Sequence, residues 1–444
     1  MSSLQQALER HAAERPDEVA LDADGVLWTW AELAARVTAQ AATRNHEDGA
    51  RVQAPMSPPE VGVVNLLAGE RMASCMVPVV EGLPAGEARR REEEASRFRG
   101  PFPGLVIYTS GTTGNARGVR LTYEALRTSA RMVIPAVGLR VGDAWYSSLP
   151  MSHVGGIGVV FRCVLAGARM VLRQRFDPLD CAVWMACGAT HLSMVARMLE
   201  RVLDVPREEL RASRGSRQAL VGDRLKLVMV GGGPTSPALL RRAVAARLPL
   251  GMTYGMTEVG STLTLERVEG DGLLLSAGFP LDGVQFRIGD GDIIEVKSPA
   301  MMEGYDPNGE DDVSPFTADG WLRTRDVGQL LDDGRLVVFD RRSDLIITGG
   351  ENVAPARVEG VIASHHAVDE VAVIGVPDDS WGQRVVAVVR MKGGADLPPL
   401  EWFRARMAPY ELPKDWVVSA APLPRDGAGK LRRREVKDAL LGKG

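Results

Sequence analysis

The densest chemistry in the sequence lies in Tyr108-Thr109-Ser110-Gly111-Thr112-Thr113-Gly114-Asn115-Ala116-Arg117-Gly118-Val119, directly after the apolar run Leu105-Val106-Ile107. A strand feeding a loop of hydroxyls, glycines and one guanidinium puts many donors on flexible backbone, which is what a polyphosphate needs. It is not a Walker loop, because no G-x-x-x-x-G-K-[ST] pattern occurs; read alone, its lesser alternative is a Ser/Thr/Gly-rich turn. Two later stretches have related chemistry. Gly231-Gly232-Gly233-Pro234 lets other atoms approach the backbone closely. Thr253-Tyr254-Gly255-Met256-Thr257-Glu258 sets two hydroxyls, an aromatic ring and a carboxylate within six residues. Asp326 closes Gly320-Trp321-Leu322-Arg323-Thr324-Arg325-Asp326, and Lys430 closes the glycine-rich Gly427-Ala428-Gly429-Lys430. Each has a plainer alternative: Tyr254 as a buried strand-end residue, Asp326 as an acid in a surface turn, and His153, beside Gly155-Gly156, as a satisfied core histidine.

These residues need elements to position them. From 104 to 340 short apolar runs such as Met170-Val171-Leu172 and Leu227-Val228-Met229-Val230 alternate with stretches read as helical at 191–204 and 237–247. That alternation predicts an α/β fold with largely parallel strands. At 444 residues the chain exceeds what one core serves, so more than one domain is expected. The character shifts past Asp340, where Val371-Ala372-Val373-Ile374-Gly375-Val376 and Arg384-Val385-Val386-Ala387-Val388-Val389 read as strands of a compact unit. Residues 1–340 are therefore read as a large, multi-layer domain of mixed sheets and helices, and 341–444 as a small α+β domain. The mixed-sign run Gly86 to Glu94 reads as a solvated helix face.

Bulk properties narrow the function classes. Charged residues make up 25% and the net charge is −4, with no basic excess pointing to nucleic acid or an anionic membrane. No apolar run approaches the roughly 20 residues of a membrane span. The polar opening MSSLQQALERHAAERPDE predicts an amphipathic helix and not a secretory segment, so a cytoplasmic protein is expected. Cys75, Cys163, Cys181 and Cys187 form no C-x-x-C pair, which predicts free, mostly buried thiols and not a zinc site. The doublet His365-His366 reads as surface decoration.

Taken together and in order, the phosphate loop, Leu149-Pro150-Met151-Ser152-His153-Val154-Gly155-Gly156, Gly231 to Pro234, Thr253 to Glu258, Gly320 to Asp326, Asp340-Arg341-Arg342-Ser343-Asp344 and Pro424 to Lys430 resemble the adenylate-forming superfamily of acyl-CoA synthetases, luciferases and peptide-synthetase adenylation domains. Asp340 to Val353 and Ala189-Thr190-His191-Leu192-Ser193-Met194-Val195 resemble its o-succinylbenzoate–CoA ligase branch, which serves menaquinone biosynthesis. The resemblance implies an ATP-dependent acid–thiol ligase that makes an acyl-adenylate, with a small carboxylic acid, ATP and CoA as partners and Mg²⁺ as metal; it leaves a homodimer open. It implies ATP contacts from Thr109, Ser110, Gly111, Thr112, Thr113, Gly114, Arg117, Gly231, Gly232, Gly233, Pro234, Tyr254, Gly255, Met256, Thr257, Asp326 and Arg341. Glu258 would hold Mg²⁺, and catalysis would fall to Lys430, His153, Glu258 and Thr257. The acyl pocket would include His153, Ser193, Gly232 and Met256; Arg197 is read as helix-surface charge. The small domain is implied to be mobile, turning near Ser343 so that Gly349 and Gly350 line the channel for the thiol. Three departures from the family pattern stand out: the segment before Thr109 is shorter than usual, Arg117 replaces the usual Lys, and Arg357 replaces the family's first glutamate. Rival readings are a ligase for another aryl acid, an adenylation enzyme loading a carrier-protein thiol, and a catalytically silent nucleotide-binding relative.

Overall fold

The computed structural model describes residues 3–43, 51–79, 102–109, 117–212, 220–233, 235, 237–268, 276–306, 314–341, 345–349, 351–425 and 431–442. The run Gly86 to Glu94 lies outside them.

The fold is α/β. Its centre is a nine-stranded sheet in the order Phe279–Pro280, Thr264–Arg267, Leu250–Met252, Leu227–Val230, His191–Met194, Ala144–Ser147, Arg169–Leu172, Val19–Ala23, Val26–Thr29. From Leu250–Met252 to Val19–Ala23 every neighbouring pair is parallel, and only the outer strands run antiparallel. Parallel strands must be covered on both faces, and these are. One face, with Tyr146, Val171, Leu192 and Val228, packs under the helices Pro178–Cys187, Ala196–Leu203 and Pro237–Ala245. The other, with Trp145 and Met170, joins the largest core, where Val154–Ala166 is buried along most of its length. A helix apolar on nearly every side, with Arg162 as its one charge, has to be interior.

Caps fix several helix starts. Ser3 and Gln6 make a reciprocal capping box on Leu4–Glu14, confirming helix in the opening residues. Asp177 accepts from the first amides of Pro178–Cys187, and Thr122 caps Tyr123–Val137. One expectation is corrected: the stretch 191–204 is not all helix. His191–Met194 is a strand buried at every residue, and the helix begins at Ala196. A short run buried on both faces has no period to separate it from a helix turn.

A second, five-stranded sheet orders Gly304–Tyr305, Arg117–Thr122, Gly104–Thr109, Cys75–Pro78 and Arg51–Ala54. A third, antiparallel, orders Gln285–Ile288, Ile293–Lys297, Leu322–Leu330 and Leu336–Arg341. The last sheet begins with Ile346–Thr348 and shares no strand with the others among the described residues. Its long hairpin, Val368–Asp378 with Gly382–Met391, alternates sides: Val371, Val373 and Val385 pack on Ile362 and Phe403, while Ile374, Val386 and Val388 pack on Leu423 and Val436. Arg357 pairs with Glu411 inside this unit. Here the histidine doublet is more than decoration: the rings stack at 4.4 Å and His365 meets the Trp402 edge at 4.9 Å. The thiols are free, Cys75, Cys163 and Cys181 buried and Cys187 exposed. No described helix is long and apolar enough to cross a membrane.

One buried ion pair ties the second sheet together. Arg51 and Asp306, with side chains 2% and 4% exposed, bond through both guanidinium nitrogens and both carboxylate oxygens, and the Asp306 amide donates to the Gly118 carbonyl at 2.6 Å. Removing one partner of such a pair strands the other charge and costs about 3–5 kcal/mol. Asp306→Ala should therefore lower unfolding stability by that order in urea denaturation, and a change under about 1 kcal/mol would mean the pair is already solvated.

Candidate active site

Parallel strands send all their carboxyl ends to one edge, and ligands of open α/β sheets settle where the strand order reverses. Here the reversal falls at Ala144–Ser147, flanked by Arg169–Leu172 on one side and His191–Met194 on the other. The segments leaving that edge are the ones that held the sequence motifs: Ser148 to His153, Val195, Gly231 to Gly233, and Thr253 to Glu258. Gly232 adopts φ +79°, open to glycine and costly to others, and a Cβ on Gly231 would sit 2.4 Å from Thr253 Oγ1.

Tyr254 is anchored by its backbone, whose amide donates to Thr264 Oγ1 at 2.9 Å. Its hydroxyl donates to Asp326 Oδ2 at 2.6 Å. Burial, reinforced by the Asp326 charge, pushes the Tyr254 hydroxyl well above its ordinary pKa. The Asp326 amide donates to Thr324 Oγ1 at 3.1 Å, and Asp326 lies directly opposite Arg341 in the antiparallel pair of Leu322–Leu330 with Leu336–Arg341. The Arg341 side chain lies outside the described residues.

Thr257 and Glu258 open a single 3-10 turn, Thr257–Val259, closed by the Gly260 amide donating to the Thr257 carbonyl at 3.0 Å. The Met302 amide donates to the Glu258 carbonyl at 2.7 Å, and Tyr305 Oη donates to Glu258 Oε1 at 2.8 Å. The Arg117 guanidinium lies 5.1 Å from the Tyr305 ring centroid, within cation–π range. Thr109 and Arg117 are paired across the antiparallel strands Gly104–Thr109 and Arg117–Thr122. Both ends of the segment between Thr109 and Arg117 are thus fixed, and Tyr305 links its far end to the Glu258 carboxylate. Sequence reading missed Tyr305: it sits in the two-residue strand Gly304–Tyr305, too short to show a period.

Other candidates are placed as follows. His153 is exposed at the N-cap of Val154–Ala166, which removes the buried-core alternative. Ser193 is buried and its Oγ accepts from Trp145 Nε1 at 3.0 Å, so its hydroxyl is engaged within the sheet. Met256 is partly buried and Gly255 exposed, both in a two-residue ladder with Ser261 and Thr262. Arg197 pairs with Glu200 on its own helix. The Gly349 amide donates to the Trp381 carbonyl at 2.9 Å. Ser110, Gly111, Thr112, Thr113, Gly114, Pro234, Ser343, Gly350 and Lys430 lie outside the described residues.

The described residues hold no group of three or more His, Cys, Asp or Glu arranged to bind a metal by themselves. Glu258 stands as a single half-buried carboxylate beside hydroxyls. That suits Mg²⁺, which takes one or two protein carboxylates and completes its shell with phosphate and water.

The chain is similar to known proteins over most of its length. The family of AMP-binding enzymes matches residues 92–306, and the AMP-binding enzyme C-terminal domain matches 357–430. A 2-succinylbenzoate–CoA ligase of Bacillus cytotoxicus is 38% identical over 350 residues, covering 76% of this chain and 70% of that protein. Its counterpart in Geobacillus kaustophilus is 39% identical over 346 residues, covering 75% and 68%. Among solved structures, o-succinylbenzoate CoA synthetase from Bacillus subtilis in complex with its acyl-adenylate intermediate superposes with a TM-score of 0.84 at 28% identity, over 97% of this chain and 98% of that one. The same enzyme with ATP and magnesium ion gives a TM-score of 0.84 at 28% identity, over 97% and 99%.

The Tyr305–Glu258 bond has a pH signature. Burial, then the Glu258 carboxylate, raises the Tyr305 hydroxyl above its ordinary value, so folding favours the protonated form. Its contribution is complete below the unfolded pKa of about 10 and is lost as pH climbs from there. Tyr305→Phe should cost about 1.5–3 kcal/mol near pH 7. In paired urea titrations the gap from wild type should hold to about pH 9 and shrink above about pH 10. A gap that widens with pH would show that the hydroxyl is not the donor.

Proposed function

The chain belongs to the AMP-binding enzyme family, and from that premise we propose that it joins 2-succinylbenzoate to coenzyme A through an acyl-adenylate, with AMP and pyrophosphate as products. The observation that carries the reading is the pair of tyrosine-held carboxylates, Asp326 and Glu258, at the carboxyl edge of the sheet and next to the ends of a phosphate loop.

In the first half-reaction a substrate carboxylate oxygen attacks the α-phosphorus of ATP in line, and the bond to pyrophosphate breaks. Such transfers need positioning and charge neutralisation more than covalent help. Thr109, Ser110, Thr112 and Thr113 donate to the outer phosphates, with Arg117 adding charge. Asp326 accepts from the ribose hydroxyls and Arg341, across the ladder, supports it. Tyr254 and Gly231 to Gly233 border the base. Thr257 donates to a phosphate oxygen, and Glu258 is the protein ligand for Mg²⁺, which when bound neutralises phosphate charge. His153, exposed at the helix N-cap, borders the acyl group together with Gly232 and Met256. Lys430 meets the charge that develops around the α-phosphate.

In the second half-reaction the CoA sulfur attacks the acyl carbon, the bond to AMP breaks, and the thiol proton leaves. The large sheets end at Leu336–Arg341 and the small unit's sheet starts at Ile346–Thr348, which suits rotation about Ser343 as the way Lys430 gives place to Gly349 and Gly350. A cytoplasmic location and a homodimer belong to the same proposal.

Pyrophosphate release over a panel of aryl and alkyl acids, with and without CoA, tests the substrate. We expect 2-succinylbenzoate to give CoA-dependent thioester and AMP; ADP as product, or activity confined to medium-chain fatty acids, would contradict it. The two half-reactions should also separate. Lys430→Ala should slow adenylation by roughly 10²–10³-fold, yet convert preformed acyl-adenylate to thioester at a near-normal rate, while a bulky residue at Gly350 should do the reverse. Equal losses in both steps for Lys430→Ala would rule out domain rotation.

A further inference from the structure

The helix Val154–Ala166 is interior, and Arg162 is its only charged residue. The side chain is 2% exposed, and burial lowers its pKa to about 10. Among the described residues no carboxylate partners it. One terminal nitrogen, Nη2, donates to Ser261 Oγ at 3.2 Å and Thr262 Oγ1 at 3.1 Å, the guanidinium carbon lies 5.4 Å from the Trp145 ring centroid, and Nε has no partner. Gly158, one turn earlier, makes the room: a Cβ there would lie 3.2 Å from Nη2. Burying a guanidinium on two neutral hydroxyls and a ring face costs several kcal/mol that an apolar side chain of the same size would not. Such a group is expected where its geometry is used.

The two hydroxyls show where. Thr262 pairs with Gly255 and Ser261 with Met256, so the strand that Arg162 grips is laddered to the residues leading into Thr257 and Glu258. Ser261 holds φ +123°, a strained value for a residue with a side chain, at the point where the chain leaves the turn. Across the same turn, the Gly260 carbonyl accepts from Ser129 Oγ at 2.8 Å.

We infer that Arg162 is a positioning residue for Glu258: from inside the large domain its guanidinium holds the Ser261–Thr262 strand, and through that ladder the Thr257–Val259 turn, in the arrangement that binds Mg·ATP. The inference rests on the proposed role of Glu258 and extends it to a side chain that touches no substrate.

The test is ATP binding by calorimetry at a series of Mg²⁺ concentrations, without any acid. Arg162→Met keeps the length, removes the charge and should leave the thermal midpoint within a few degrees. The Mg²⁺ concentration for half-maximal ATP binding should rise about 10-fold, the order lost when the support of a metal ligand is removed, and Arg162→Lys should restore part of it. The double variant Ser261→Ala/Thr262→Val removes the acceptors and keeps the arginine; it should show the same shift and decides the matter if Arg162→Met does not fold. An unchanged Mg²⁺ dependence in the folded variants would overturn the inference. The outcomes separate from the substrate assay: wild-type Mg·ATP binding without turnover of 2-succinylbenzoate defeats only the substrate reading, whereas turnover with unchanged Mg²⁺ dependence in the variants defeats only the role of Arg162.

Discussion

Two carboxylates at the carboxyl edge of the central sheet each accept a hydrogen bond from a tyrosine, Asp326 from Tyr254 at 2.6 Å and Glu258 from Tyr305 at 2.8 Å. A phenol withdrawn from water has to find an acceptor, and a carboxylate that accepts from it loses rotational freedom. Each bond therefore fixes both of its partners before any ligand arrives. Because the donors come from elsewhere in the chain, the same two bonds join different sheets. Tyr254 follows the central sheet while Asp326 lies in the antiparallel one; Tyr305 lies in the five-stranded sheet, against the turn that holds Glu258.

Residues so far apart in sequence meet because of topology. A right-handed α/β alternation leaves the loops after successive parallel strands on one edge. Four of those loops supply the glycine turn, the Tyr254 to Glu258 segment, the His153 segment and Val195. In the proposed role, Glu258 would hold a divalent cation against phosphate, which requires its turn to keep one conformation as charge accumulates. The supports around it are accordingly polar and internal: the Met302 amide, the Tyr305 hydroxyl, Ser129 and the Arg162 grip on the following strand.

Much of the site was legible in the residue types. Glycines next to hydroxyls, an acid after Thr257 and an aromatic before Gly255 have few joint uses, and their order along the chain pointed to the family. Local spacing did not reveal the partners, because they are tertiary. Tyr305 and Arg162 stand alone in sequence, one in a two-residue strand and the other inside an apolar helix, and only the fold brings them to the turn. The same limit explains His191–Met194, where burial on both faces erased the period that separates strand from helix. Ser193, which the resemblance put in the acyl pocket, has its hydroxyl engaged by Trp145 on the sheet, a partner its sequence neighbours could not show.

The central claim is that the Glu258 carboxylate, held by its turn, is the protein's hold on the metal that accompanies ATP. The most direct measurement is single-turnover formation of acyl-adenylate by Glu258→Gln against Mg²⁺ concentration, since glutamine keeps the size and the hydrogen bond from Tyr305 while removing the charge. A steep fall in rate and a rise in the Mg²⁺ needed for half-maximal activity are expected. A variant with the wild-type Mg²⁺ dependence would show that Glu258 is structural and that the metal is held elsewhere.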